Sequence, residues 1–260
     1  MDYETILYVL DEGVLTITLN RPDVLNAFNR QMTTEIQDAL KKAERDPAVR
    51  CLVFTGAGRA FSSGEDLKAR QAEGTTGFGS TLRDRYNPIV LKMRNLEKPI
   101  IGSINGVAAG AGCSTALACD LRIVSDKASF IEVFVRIGLV PDSGSSFFLP
   151  RLVGLGKALE IAFTGDSVGA EEALRIGLVN TVVPAEELEA ATRELALRLA
   201  KGPTRAIGLA KRTINRALSM DLEQILEYEV FAQETAGSTE DHKEGMAAFL
   251  EKRTPNYTGS

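Results

Sequence analysis

Gly102–Ser146 reads GSINGVAAGAGCSTALACDLRIVSDKASFIEVFVRIGLVPDSGSS, and the fold of the chain turns on it. A short apolar run leads into small residues around Gly106, Gly110 and Gly112, then into CSTALAC, which can open a helix. Small residues let the backbone come close to a ligand, and a helix starting there points unpaired N–H groups outward. Such a helix start favours a developing negative charge. At the far end, Asp142 sits in the turn Val-Pro-Asp-Ser-Gly-Ser, between the apolar runs FVRIGLV and SFFLPRLVGL. Spacing alone leaves two readings of Asp142 open, a turn residue capping its own backbone or a catalytic carboxylate.

Upstream, residues 5–9 (TILYV) and 14–19 (VLTITL) are rich in β-branched side chains and flank Asp11-Glu12-Gly13, a hairpin signal. Thr33 to Glu44 places Ile36, Leu40 and Ala43 on one face of a surface helix. Arg50 to Thr55 is almost entirely apolar, as a strand covered on both faces should be, and Pro99 to Ile104 repeats that style. Strands alternating with helices predict an α/β core. The polar, glycine-rich segment Ala69–Asp84 reads as a mobile loop or lid. Downstream, LRIVS, SFIE and LVNTVVP read as strands, and Pro150–Thr164 and Ala170–Ile176 as helices. From Glu186 onward the chain reads as helix after helix, with Ser238 expected to cap the last one, Thr239–Lys252. The division expected is a core over 1–200 and a helical region over 201–260.

The chain has 260 residues, 25% charged and 44% hydrophobic, with a net charge of −5. That mix is ordinary for a globular protein, and the dispersed basic residues exclude a nucleic-acid footprint. Cys51, Cys113 and Cys119 make neither a metal pattern nor a disulfide framework, and read as buried free thiols of a reducing compartment. No apolar run reaches membrane-spanning length and no signal peptide is evident, so a cytoplasmic protein without membrane contact is expected. GAGRAFSSG lacks the Gly-Lys-[ST] ending of a phosphate loop.

The stretch from Gly102 to Ser146 resembles the crotonase (enoyl-CoA hydratase/isomerase) family, and the similarity runs from about residue 5 to residue 259. Within the family, FVRIGLVPDSGSSFFLPRLVG is most similar to the ring-epoxide isomerases of phenylacetate degradation. The resemblance implies a spiral of β-β-α turns with a helical C-terminal region, in homotrimers or dimers of trimers. It also implies an acyl-CoA substrate, with no separate cofactor and no metal.

The same resemblance assigns site residues. The family pattern A-F-x-x-G-x-D-L, here AFSSGEDL, puts one oxyanion-hole donor on the backbone of Glu65. The glycine run puts the second on Ala111. The side chain of Glu65 is expected to point away, because a carboxylate beside the thioester oxygen would oppose enolate formation. The two glutamates of the family's hydratases fall on Ser114 and Phe134, neither of which can activate a water. Asp142 is then the carboxylate left at a family catalytic position, and one carboxylate suffices for isomerisation. Desolvation by Phe134, Phe147 and Phe148 should raise its pKa. The aspartate-nucleophile dehalogenases of the family also use a mid-chain histidine, whereas His242, the only histidine here, lies in the last helix. For coenzyme A, the resemblance points to Leu25 and Ala27, to the backbone of Ser63, Gly64, Asp66 and Leu67, and to Lys211, Phe249 and Lys252.

Overall fold

The computed structural model describes residues 3–72, 74 and 77–260. The chain opens with the hairpin β1 (Ile6–Asp11) and β2 (Val14–Leu19), turned at Glu12 and Gly13, whose φ angles of 46° and 80° are both positive. That combination matches the twist of the strands it joins. A short 3-10 turn, Pro22–Val24, leads to α1 (Arg30–Arg45), started by Asn29, whose side chain accepts the N–H of Met32. Then come β3 (Cys51–Gly56) and β4 (Ala60–Ser62).

Next are α2 (Leu67–Ala72) and α3 (Phe78–Thr81), which runs through a π-helical turn, Leu82–Tyr86, into α4 (Asn87–Asn95). The loop expected over Ala69–Asp84 is therefore corrected. Glu73, Thr75 and Thr76 lie outside the described residues, and most of the remainder is helical. Burial of Tyr86, Ile89 and Met93 against the core overrides the polar composition upstream.

The next turns of chain repeat one plan. β5 (Ile100–Ile104), β6 (Val107–Ala109) and α5 (Ala111–Ala118) are followed by β7 (Leu121–Ser125) and β8 (Ser129–Ile131). After a 3-10 turn, Val133–Ile137, come α6 (Ser145–Val153), α7 (Leu155–Thr164), β9 (Ser167–Gly169), α8 (Ala170–Arg175) and β10 (Thr181–Val183). One helix was expected over Pro150–Thr164. Two are found because Gly154, at φ 77°, ends the first, and that first helix begins five residues earlier at Ser145. The chain closes with α9 (Leu188–Ala200), α10 (Thr204–Ala217), α11 (Leu222–Gly237) and α12 (Glu240–Glu251). Thr239, not Ser238, caps α12, its hydroxyl accepting the N–H of His242 at 3.1 Å. Ser238 instead closes α11.

The strands sort into a six-stranded sheet, β1-β2-β3-β5-β7-β10, and a four-stranded sheet, β4-β6-β8-β9. Each pass of the chain lays one strand in the first and the next in the second: β3 then β4, β5 then β6, β7 then β8. Apart from the β1–β2 and β8–β9 pairs, neighbours are parallel. This is the spiral of strands and helices that the resemblance implies, an α/β fold with a helical C-terminal end. Period-2 alternation divides the large sheet. Leu52 and Phe54 of β3 join the main core with α1 and α5, while Cys51 and Val53 face α9 with Val14, Ile101 and Ile123. All three cysteines are free and buried, and burial pushes the thiols of Cys51 and Cys119 up to about 12.

Candidate active site

The loops that follow β4 and β6 meet at one place. Beyond β4, the strip Ser63–Asp66 is laced to Leu25–Phe28: Ser63 N–H donates to Leu25 O at 2.9 Å, Phe28 N–H to Gly64 O at 2.7 Å, and Asp66 N–H to Phe28 O at 2.9 Å. Leu25 and Asn26 take left-handed backbone for this, at φ 53° and 54°, and the Asn26 amide donates to Ala57 O and Ala60 O. Asp66 caps α2 through Ala69 N–H and pairs with Arg21 at 2.9 Å. Burial pushes the Asp66 carboxyl up, but these partners outweigh it and hold it below its ordinary value. Leu25, Ala27, Ser63, Gly64, Asp66 and Leu67 are thus gathered along one strip, with Leu67 exposed at its end.

Against this strip lies the start of α5. A Cβ on Gly64 would sit 2.7 Å from Ala109 O and 3.4 Å from Ala111 N, and one on Gly112 would sit 2.5 Å from Ser62 O. Only glycine lets the two loops come this close, and the contact sets the backbone at Glu65 beside that at Ala111. Ala111 is the first residue of α5, so its N–H has no acceptor four residues back within the helix. The Glu65 carboxylate is engaged elsewhere, by the Tyr86 hydroxyl and by Arg85 Nη1 at 3.2 Å. The π-helical turn that carries Arg85 and Tyr86 places both on that carboxylate.

The Asp142 turn packs over the same helix. Ser143 and Gly144 are both left-handed, at φ 52° and 92°, which turns the chain sharply into α6. Ser145 N–H donates to Asp142 O at 3.0 Å, and Ser114 Oγ of α5 lies 3.1 Å from the same carbonyl. Ser143 Oγ donates to Asp142 Oδ1 at 2.8 Å. Burial raises the Asp142 carboxyl above its ordinary value, with Ser143 and the Arg70 charge of α2 pulling the other way. Phe134 is 6% exposed and its ring comes within 4.0 Å of a Cβ placed on Gly110. Ser114 is 0% exposed. Phe148 and the half-exposed Phe147 stand beyond Gly144, lining a cavity of about 490 Å³ with Val90 and Arg94.

The Ser63–Asp66 strip, the start of α5, the turn of Asp142 and the two-sheet spiral coincide with one known family. The enoyl-CoA hydratase/isomerase family matches residues 10–260. The chain belongs to that family, the crotonases. These are enzymes that act on acyl-CoA thioesters. The 1,2-epoxyphenylacetyl-CoA isomerase of Escherichia coli K12 is 42% identical over 259 residues, covering 98% of this chain and 99% of that protein. A protein of Rhodobacter capsulatus named "probable enoyl-CoA hydratase" is also 42% identical, over the whole length of both. The crystal structure of enoyl-CoA hydratase from Bacillus anthracis superposes with a TM-score of 0.92 at 35% identity, covering 99% of this chain and 100% of that one.

Three residues expected at the coenzyme A end of this crotonase are placed apart from the strip. Lys211 is corrected: its ammonium is sequestered, bonded to Asp120 at 2.8 Å, Met93 O at 2.8 Å and Lys98 O at 3.1 Å. Burial pulls its pKa down and Asp120 opposes that. All three donors are used inside the chain, so none remains for a phosphate. Phe249 is 80% exposed and Lys252 ends α12 at φ 56°. Neither forms a hydrogen bond or ring contact with the strip among the described residues. No metal-binding group occurs among the described residues, and no helix is long and apolar enough to cross a membrane.

Sequence reasoning missed Glu132, which follows β8 and is 1% exposed. Its Oε1 lies 2.8 Å from Ser145 Oγ, which lies 2.8 Å from Ser114 Oγ. A cue was present. In SFIE the strand alternation turns Glu132 to the side of the buried Phe130, an unusual place for a carboxylate.

Proposed function

We propose that this crotonase is an acyl-CoA isomerase with Asp142 as its proton-transfer carboxylate. The Glu65 and Ala111 N–H groups receive the thioester oxygen, and negative charge builds there as a proton leaves the neighbouring carbon. Asp142 takes that proton and returns it elsewhere on the acyl group. In a 3-enoyl-CoA the proton leaves C2 and goes back to C4, giving the 2-enoyl isomer. In a ring-1,2-epoxyphenylacetyl-CoA, the same group can move a proton beside the carbonyl while the ring opens to the oxepin.

One observation carries this reading. Asp142 is half-buried at the α5 start with a raised pKa, while the two flanking positions hold a sealed serine and a phenylalanine. Ser114 and Phe134 leave no group to deprotonate a water beside the acyl β-carbon. Glu132 is walled off behind Ser145 and cannot reach substrate.

Coenzyme A would lie along Leu25, Ala27 and Ser63–Leu67, with Phe249 and Lys252 supplied by a neighbouring subunit. Exposed Leu222, Leu226, Val230, Phe231, Met246 and Leu250 on α11 and α12 support a trimer or a dimer of trimers, which would cover them. The test is turnover of an acyl-CoA panel containing a 3-enoyl-CoA, the phenylacetyl ring epoxide and crotonyl-CoA in isotopically labelled water. Isomerisation far faster than formation of labelled 3-hydroxyacyl-CoA is expected. Hydration at a matching rate would make the protein a hydratase, and binding without any turnover would make it a non-catalytic acyl-CoA protein.

A further inference from the structure

Glu132, Ser145 and Ser114 form a line of side-chain oxygens that ends on the backbone of Asp142. The separations are 2.8 Å from Glu132 Oε1 to Ser145 Oγ, 2.8 Å from Ser145 Oγ to Ser114 Oγ, and 3.1 Å from Ser114 Oγ to Asp142 O. Each contact in this line is strongest with a proton between its two oxygens, because facing lone pairs repel. The serines bring one proton each. The carbonyl of Asp142 brings none, and the Ser114 proton is shared with Gly110 O at 3.2 Å, so a protonated Glu132 gives the line its full set of donors and frees Ser145 to donate to Ser114.

The surroundings of Glu132 favour the protonated form. Its second oxygen, Oε2, is buried with no hydrogen-bond partner, which costs a neutral carboxyl much less than a carboxylate. Around it stand the Cys113 thiol of α5 and Asp142 of the facing turn. Arg136, on the adjoining 3-10 turn, is half-exposed and pairs outward with Asp166 at 3.8 Å. The Arg70 charge acts on Asp142, and that of Arg122 on Cys113. No cation lies within ion-pair distance of Glu132 among the described residues. Burial pushes the Glu132 carboxyl up, the nearby Asp142 charge pushes it the same way, and Ser145 and Cys113 offset part of this.

We propose that Glu132 is a positioning residue for Asp142, carried protonated as the donor end of the Glu132–Ser145–Ser114 chain that pins the Asp142 carbonyl. The proposal rests on the reading of Asp142 as the proton-transfer group. In the protonated state Glu132 donates to Ser145, Ser145 to Ser114, and Ser114 to Asp142 O. Loss of the Glu132 proton reverses the chain: Ser145 turns its hydroxyl to the carboxylate, Ser114 turns to Ser145, and Asp142 O loses the Ser114 bond. The reversal moves no heavy atom and changes only which oxygen donates. Activity should therefore fall on the alkaline side as Glu132 ionises, although Asp142 itself is then in its reactive form.

Glu132→Gln separates this from a packing role, because the amide has the size of the acid and keeps a donor at every pH. Isomerisation at pH 7 should stay within about threefold of wild type while the alkaline limb of kcat disappears, since less than about 1 kcal/mol is removed. Ser145→Ala should lower kcat about tenfold at pH 7, the worth of one buried hydrogen bond. A second measurement does not need turnover. Wild-type minus Glu132→Gln infrared spectra at pH 7 should show the carbonyl stretch of a protonated carboxyl. A difference spectrum showing only a carboxylate band overturns the proposal, and so does an alkaline limb that survives in Glu132→Gln. If instead no acyl-CoA is isomerised, the functional reading fails while the infrared result still decides the state of Glu132.

Discussion

Gly112→Ala tests the oxyanion site through its tightest contact. The new Cβ would sit 2.5 Å from Ser62 O and 2.7 Å from Ser62 Cβ, where ordinary contact begins at 3.4 Å. The obstruction is mostly backbone, so it cannot swing aside, and the strip and the α5 start must part by about 0.9 Å. Those are the two elements that carry the Glu65 and Ala111 N–H groups. A displacement near 1 Å in a site of this kind costs about 10²-fold in rate, or roughly 2.7 kcal/mol of barrier. We therefore expect kcat for isomerisation of a 3-enoyl-CoA to fall about 10²-fold, in the range seen for loss of one oxyanion donor. Acyl-CoA affinity, measured by calorimetry, should change by no more than a few fold. Gly156→Ala is the control. It lies in α7 with nothing within 4 Å of the place its methyl would take, so it should leave the rate unchanged and slightly favour the helix. Gly112→Ala with native near-UV circular dichroism and a rate within threefold of wild type would refute the placement of the two donors.

Asp142→Asn keeps the shape of the turn but cannot accept a proton, and should lower isomerisation about 10³-fold, within the range for loss of a general base, while acyl-CoA affinity stays within a few fold. The acidic limb of kcat/KM should lie above the ordinary aspartate value, because Asp142 is active as the carboxylate and burial raises its pKa. Ser143→Ala removes a bond that lowers that pKa, so the limb should move to still higher pH, and a shift to lower pH would contradict it. Lys211→Met takes one partner from the Asp120 carboxylate, which keeps Arg94 at 3.7 Å and the Ile100 N–H at 2.8 Å, and should destabilise the fold by about 2 kcal/mol, seen in denaturant melts, with KM for acyl-CoA within twofold. Light scattering at micromolar concentration should give a trimer or a multiple of it, and a monomer would leave the apolar faces of α11 and α12 unexplained.

The sequence disclosed most where one residue type has one physical reason to be present. The apolar run at β3 required cover on both sides, and α9 and the main core supply it. The glycines beside Ala111 required close approach, and Gly112 packs directly on Ser62. What stayed hidden was whatever depends on partners distant in the chain. Lys211 was expected at coenzyme A, but Asp120 and two carbonyls enclose it. Segment 69–84 is polar, yet it leads into Tyr86, which packs edge-on against Phe28 and bonds Glu65. Glu132 illustrates the limit best. Alternation along SFIE could place its side chain inward, but not on Ser145, because that pairing depends on the left-handed turn at Ser143 and Gly144. The same turn carries Asp142, so a residue ten positions upstream becomes part of its support. Substituting Glu132 or Ser145 therefore acts on the Asp142 carbonyl, and substituting Ser143 acts on its carboxylate. Measured separately, these changes distinguish where the group is held from how readily it takes a proton.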